Sequence, residues 1–168
     1  DGDTAQATLT INVANDNLTP IAGTVNAFVD DEGLAGGILG NGSSSGDINA
    51  NAGEVGSGTS SEAIWTGTLQ GSGGDAPINF AFSQSLDGTA VSGGVGTEAA
   101  TWNVSADGLT LEAIGPRGVI FTVHITNAAT GAYTLTLNDN VLNTYGDNTE
   151  ASATVNIPYT VNDVDSPR

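Results

Sequence analysis

The sequence predicts an all-β chain folded as an antiparallel β-sandwich, on three observations. Apolar and polar residues alternate at period two in run after run, the spacing of a half-buried strand rather than of a helix. Thr, Val, Ile, Leu, Phe and Tyr fill those runs, and these side chains suit a pleated surface. Gly, Asn, Asp and Pro punctuate the runs at short intervals, as the reversals of a sandwich require. At 168 residues the chain is expected to form one domain with short tails, burying roughly 70% of its unfolded surface.

The first strand is expected over 7–13, where Leu9, Ile11 and Val13 share one face and Thr8, Thr10 and Asn12 the other. The same alternation predicts strands near 22–29, 62–70, 77–83, 99–104, 109–114, 118–126, 132–138 and 152–161. In 62–70, Ala63, Trp65, Gly67 and Leu69 face together, and Trp102 lies with Ala100 and Val104. Both indoles are thus expected in the core rather than as sugar-stacking platforms. In 118–126, Val119, Phe121, Val123 and Ile125 face inward, with Thr122, His124 and Thr126 outward. In 152–161, Val155, Ile157, Tyr159 and Val161 point inward and Pro158 outward; lacking an amide donor, Pro158 predicts an edge strand or a bulge.

Three reversals are legible. Asp107-Gly108 is expected as a type I′ hairpin turn, which needs positive φ that Asp and Gly tolerate. Gly115-Pro116-Arg117-Gly118 and Asn127 to Gly131 make two more. Residues 33–61 are rich in Gly, Ser, Asn and Ala. They are expected either as a long, mobile Gly/Ser-rich surface loop or as irregular backbone around an ion, with Asp47, Asn49, Asn51 and Glu54 offering oxygens.

Charge narrows the chemistry. Nineteen acidic side chains face only Arg117 and Arg168, for a net charge of -17. Such a chain is expected to repel nucleic acid and anionic lipid. Disorder is the usual reading of high net charge, but here 38% of residues are hydrophobic and ordered into runs. The excess reads instead as a demand for cations. With no Cys or Met, disulfides, thiolate chemistry and Cys-based zinc sites are excluded. No apolar stretch approaches the ~20 residues that cross a bilayer, so no membrane insertion is expected, and no signal-peptide pattern opens the chain. The chain is expected to be a fragment of a longer parent that carries the export signal elsewhere.

Oxygen-rich clusters fall at strand ends, where a hard ion such as Ca²⁺ would take roughly six to eight oxygen ligands. They are Asp1 and Asp3 with Asn15, Asp16 and Asn17; Asp30, Asp31 and Glu32; and Asn162, Asp163 and Asp165. Asn138-Asp139-Asn140 and Asp147-Asn148 precede the last strand. The alternative for any one cluster is a solvated turn, which Asp and Asn favour anyway. None matches the EF-hand loop. No catalytic set emerges, and no enzyme is expected. His124, the single histidine, lies mid-strand without an acid or serine nearby in sequence. Asp30 and Asp31, as strand neighbours, point to opposite faces and cannot flank a sugar as a glycosidase pair does unless the strand has ended before them. The Thr-x-Thr pairs at 8 and 10 and at 134 and 136 read as ordinary outward strand positions rather than as a flat ice-binding or crystalline surface.

A weak internal repeat adds organisation: residues 8–20 and 154–167 each run from a strand into an Asn/Asp cluster and a proline, about 145 residues apart, like two ends of one unit in a tandem array. Val29-Asp30-Asp31-Glu32-Gly33-Leu34, Ala106-Asp107-Gly108-Leu109-Thr110-Leu111, Val119-Ile120-Phe121-Thr122-Val123, Thr130-Gly131-Ala132-Tyr133-Thr134-Leu135-Thr136-Leu137 and Gly146-Asp147-Asn148-Thr149-Glu150 together resemble the repeat domain of large type I secreted, repeats-in-toxin (RTX) adhesins of Gram-negative bacteria. Asn15-Asp16-Asn17-Leu18-Thr19-Pro20 is similar to the calcium-binding linker of cadherins, and Asp1-Gly2-Asp3-Thr4 to the acidic turn of cadherin-like bacterial repeats.

This resemblance implies an Ig-like, Greek-key sandwich exported to the bacterial surface. Repeats would be strung head to tail and stiffened by Ca²⁺ at their junctions. The implied division is a strand and calcium linker over 1–19, the repeat domain over 20–161, and a linker to the next repeat over 162–168. Adjacent repeats of the same polypeptide are the expected partners of a monomeric chain. The alternative is a calcium-dependent adhesion domain that binds a glycan or peptide. In the family the acidic turn joins a strand like 152–161 directly to one like 5–13, whereas here these lie at opposite ends of the chain. The segment 5–13 is therefore expected either to pair into this domain or to be exchanged with a neighbour.

Overall fold

A computed structural model describes residues 20–31, 34, 63–73, 77–142 and 153–163. The expected strand at 7–13 lies outside these residues, as does nearly all of 33–61. The strands are β1 (Ile21–Ala22), β2 (Ile64–Thr68), β3 (Gly71–Ser72), β4 (Ile78–Ala81), β5 (Thr101–Val104), β6 (Thr110–Gly115), β7 (Gly118–Asn127), β8 (Ala132–Leu137) and β9 (Thr160–Asp163). A 3-10 turn spans Gln84–Leu86, with the Ser83 hydroxyl accepting the Ser85 N–H at 3.3 Å.

Five strands form one antiparallel sheet in the order β2-β8-β7-β6-β5. β6, β7 and β8 follow one another through hairpins, while β2 reaches its place beside β8 through a long connection, which is a Greek-key order. The sheet is one-sided. Trp102, Val104, Leu111, Ala113, Phe121, Val123, Ile125, Tyr133, Leu135 and Leu137 are buried on its inner face. Thr66, Thr101, Asn103, His124 and Thr126 on the outer face are exposed.

The second layer is made of two short antiparallel ladders, β1-β3 and β4-β9, and of the segments 23–30 and 153–159. Val25, Ala27 and Val29, with Val155, Ile157, Tyr159 and Val161, pack onto the core, and Pro158 is exposed. The predicted alternation thus holds along both segments, although ladder pairing covers only their ends, at 21–22 and 160–163. Tyr159 joins the layers: its hydroxyl lies 2.5 Å from the Gly23 carbonyl and 2.8 Å from that of Gln70.

Three departures from simple alternation have local causes. Ala113 pairs with Phe121 but Ile114 with Val119, so Ile120 is an extra residue on β7. The bulge turns Ile120 inward to 1% exposure, and its carbonyl accepts both Asn138 N–H (2.8 Å) and Asp139 N–H (3.1 Å). The Asp107-Gly108 reversal is not type I′, because Gly108 has φ 71° while no non-glycine residue among the described residues, Asp107 included, has positive φ. Its geometry is set instead by the Asp107 carboxylate, which accepts from Ser105 Oγ (2.5 Å) and Leu109 N–H (3.0 Å). The Ser105 hydroxyl and then the Leu109 amide hold that carboxylate below its ordinary pKa. Asn162 and Asp163, expected in a linker, pair with Asn79 and Ile78 in β9.

The chain enters and leaves the described sandwich at the same end. Ile21 and Ile78 border an open cleft together with Ala129 and Thr130 of the β7–β8 turn, and Asp163 pairs with Ile78. From Ile21 the chain runs the length of the sandwich to Asp31, whose Oδ2 accepts the Val141 N–H at 3.1 Å beyond the far end of β8. Each six-residue strand spans about 20 Å, so the two ends are well separated.

Leu111 is 0% exposed, whereas Phe28 is 61% exposed. Leu111→Ala is therefore expected to lower unfolding free energy by about 2–5 kcal/mol, and Phe28→Ala by less than about 1 kcal/mol. Urea denaturation followed by tryptophan fluorescence reads both.

Candidate functional site

The sequence places its candidate ligands in clusters, and the fold sorts the described ones to opposite ends. Asp30, Asp31 and Asp139 belong to the end where Val141 meets Asp31. Asn162 and Asp163 belong to the other, beside the cleft that Ile21 and Ile78 border. Asp1, Asp3, Asn15, Asp16, Asn17, Glu32, Asp147 and Asp165 lie outside the described residues. Among the described residues no three His, Cys, Asp or Glu side chains converge as a metal-holding group.

At the Asp31 end the organising side chain is Arg117. The two-residue turn Pro116-Arg117 joins β6 to β7, with Gly115 opposite Gly118, and projects the guanidinium toward two other chain segments. Nε and Nη2 donate to Glu98 Oε2 at 3.0 and 2.7 Å. Nη1 meets Asp139 Oδ2 at 2.9 Å and donates to Asn140 Oδ1 at 2.9 Å, while Nη2 also donates to the Asn140 carbonyl at 2.8 Å. Glu98 is buried at 7% exposure, and a buried carboxylate demands such a partner.

The turn that carries Glu98 is tied in from the other side. Val95 and Glu98 exchange backbone hydrogen bonds at 2.8 and 3.1 Å. Thr97 then donates to the Leu142 carbonyl through both its amide (2.8 Å) and its hydroxyl (3.0 Å). Asp139 Oδ1 accepts the Asn140 N–H at 2.9 Å. Among the described residues at this end, Asp139 and Glu98 are engaged by a guanidinium, and Asp31 accepts a backbone amide.

Asp31 is held at a cost. Burial raises its pKa above the ordinary 3.8, with the neighbouring charge of Asp30 acting the same way, and the Val141 amide offsets only part of this.

The remaining chemistry-bearing residues are dispersed. His124 is exposed on the outer face of β7, with Nδ1 3.0 Å from the Thr110 hydroxyl. Trp102 is buried at 5% exposure and packs edge-on against Phe121 at 5.9 Å, so it offers no stacking face. Trp65 is half-buried under the exposed Phe28, ring centroids 6.0 Å apart. Its Nε1 is buried without a hydrogen bond of good geometry. A Cβ at Gly67 would lie 2.9 Å from both Trp65 Nε1 and the Tyr133 ring, so only glycine leaves room for the indole there.

Sequence reasoning missed the Arg117–Glu98 pair, having read Arg117 as a turn residue only. The available signal was its isolation: Arg117 and Arg168 are the only two basic residues facing 19 acids.

A raised folded pKa means that Asp31 adds stability when protonated, below about its unfolded value, and costs stability as pH rises through the window above 3.8. Asp31→Asn retains an acceptor for Val141. In calcium-free buffer it is expected to raise the urea midpoint at neutral pH, with the gain shrinking to nothing as pH falls below that window. Compared with family models, curated proteins and solved structures, the chain matches none.

Proposed function

We propose that the chain is a structural extender repeat of a large bacterial surface adhesin, stiffened by Ca²⁺ where neighbouring repeats meet and projecting ligand-binding regions away from the cell. The observation that carries this reading is where the described chain enters and leaves the sandwich. Asp163 and Pro20 belong to the same end of the sandwich, and only three to five peptide units separate Pro20 from the Asn15-Asp16-Asn17 run. In this reading the Asn15-Asp16-Asn17 run and the Asn162-Asp163 stretch, far apart in sequence, supply oxygens to one junction. Carboxylate and amide oxygens gathered at a junction are the donor set that Ca²⁺ takes. The net charge of -17 gives such binding a strong electrostatic drive, and neutralisation relieves the self-repulsion of the compact state.

A head-to-tail rod needs chain entry and exit at opposite ends. Because the described entry and exit share one end, this reading commits the chain before Pro20 to one more pass along the sandwich, either in this domain or exchanged with a neighbour.

One observation favours a second reading, a calcium-dependent glycan- or peptide-binding domain. The open cleft of about 560 Å³ at the junction end is lined by Gln70, Ser72, Phe80 and Thr130 among others, a mixture of polar groups and one aromatic ring of the kind that small ligands use. Glycan and peptide arrays separate the two readings, since a spacer is expected to bind neither.

Two outcomes are expected of the extender. Its melting temperature in calorimetry rises on adding calcium and falls with chelator, by linkage to a ligand that binds only the folded state. X-ray scattering of a chain of several repeats shows a long rigid particle with calcium and a shorter, flexible one without; profiles indifferent to the metal would sink the proposal.

A further inference from the structure

We propose that Arg117 is the built-in counter-ion of the end opposite Pro20 and Asp163, ordering the described segments there without any divalent cation. The guanidinium is seated among four oxygens, Glu98 Oε2, Asp139 Oδ2, Asn140 Oδ1 and the Asn140 carbonyl, all 2.7–3.0 Å from its nitrogens. Two carboxylates, an amide oxygen and a main-chain carbonyl make the all-oxygen set that a hard divalent ion would otherwise take. Here the planar fork of an always-charged side chain fills it.

The backbone is shaped for this occupant. Gly115 has no positive φ to account for its identity. A Cβ there would stand 2.6 Å from Glu98 Oε1, so glycine at this position makes room for the carboxylate that Arg117 grips. The Pro116-Arg117 turn, the Glu98 turn and the segment after β8 converge on one charge, and Thr97 fastens the last two together through Leu142. Arg117 is also the only Lys or Arg among the described residues.

The assignment stands apart from calcium binding at the end that holds Asn162 and Asp163, because it concerns the contacts of Arg117 at the opposite end and is read on the amides beside them. Hydrogen exchange of the wild-type domain is expected to show amides of 97–98, 118–121 and 138–142 equally protected in calcium and in chelator. Arg117→Gln is expected to lose that protection and to melt about 5 °C lower or more, and Arg117→Lys to fall between, since an ammonium cannot reproduce the forked contact. The double variant Glu98→Gln with Arg117→Gln, which leaves no buried charge stranded, is expected to melt above Arg117→Gln and serves if the single variant does not fold. Chelator-sensitive exchange at these amides in the wild type, an Arg117→Gln melt equal to wild type, or a double variant no more stable than the single one would each overturn the proposal.

Discussion

The whole structure depends on covering one face of the five-stranded sheet. Its inner side presents Leu111, Ala113, Phe121, Val123, Ile125, Tyr133 and Leu135 in adjacent rows, and apolar area of that kind stabilises a fold only when removed from water. A sheet can hide one face only against another layer. That need explains why 23–30 and 153–159 keep strict alternation despite little ladder pairing: they are selected for what they lay on the core rather than for hydrogen bonding to each other. Tyr159 and Phe80, tilted rings 6.2 Å apart, close the second layer at the end where Ile78 pairs with Asp163.

Charge is the second constraint, and it acts differently at the two ends. A chain carrying -17 has too few cations to neutralise itself, so the placement of its internal arginine matters more than in a balanced protein. With Arg117 committed to Glu98 and Asp139, one end is satisfied internally, and Asp31 adds a carboxylate that burial penalises but the Val141 amide retains. The proposed calcium requirement and the arginine are two answers to the same electrostatic problem, at opposite ends of one sandwich.

The architecture was largely legible because period-two alternation is a local property. Val104, Leu111, Val123 and Leu135 all fall inward where alternation places them, and the reversals at Gly115–Gly118 and Asn127–Gly131 are read from glycine and proline alone. Ile120 shows where that logic stops. One extra residue flips its side chain into the core, and a bulge depends on pairing with a neighbouring strand, which no local window contains. Asp107 shows a subtler failure: the dipeptide signalled a turn correctly, but the side-chain bonds to Ser105 and Leu109 chose a different one.

By itself, the sequence determined the all-β class, the positions of most strands, the inward residues and the abundance of oxygen ligands, since these follow from composition and spacing along the chain. Tertiary structure alone decided which carboxylates meet which partners. Asp31 and Val141 are 110 positions apart, and Arg117 reaches Glu98 from 19 positions away and Asn140 from 23. Electrostatic pairing acts over a few ångströms in space, and the folding of the sheet, not distance along the chain, sets which charges come that close.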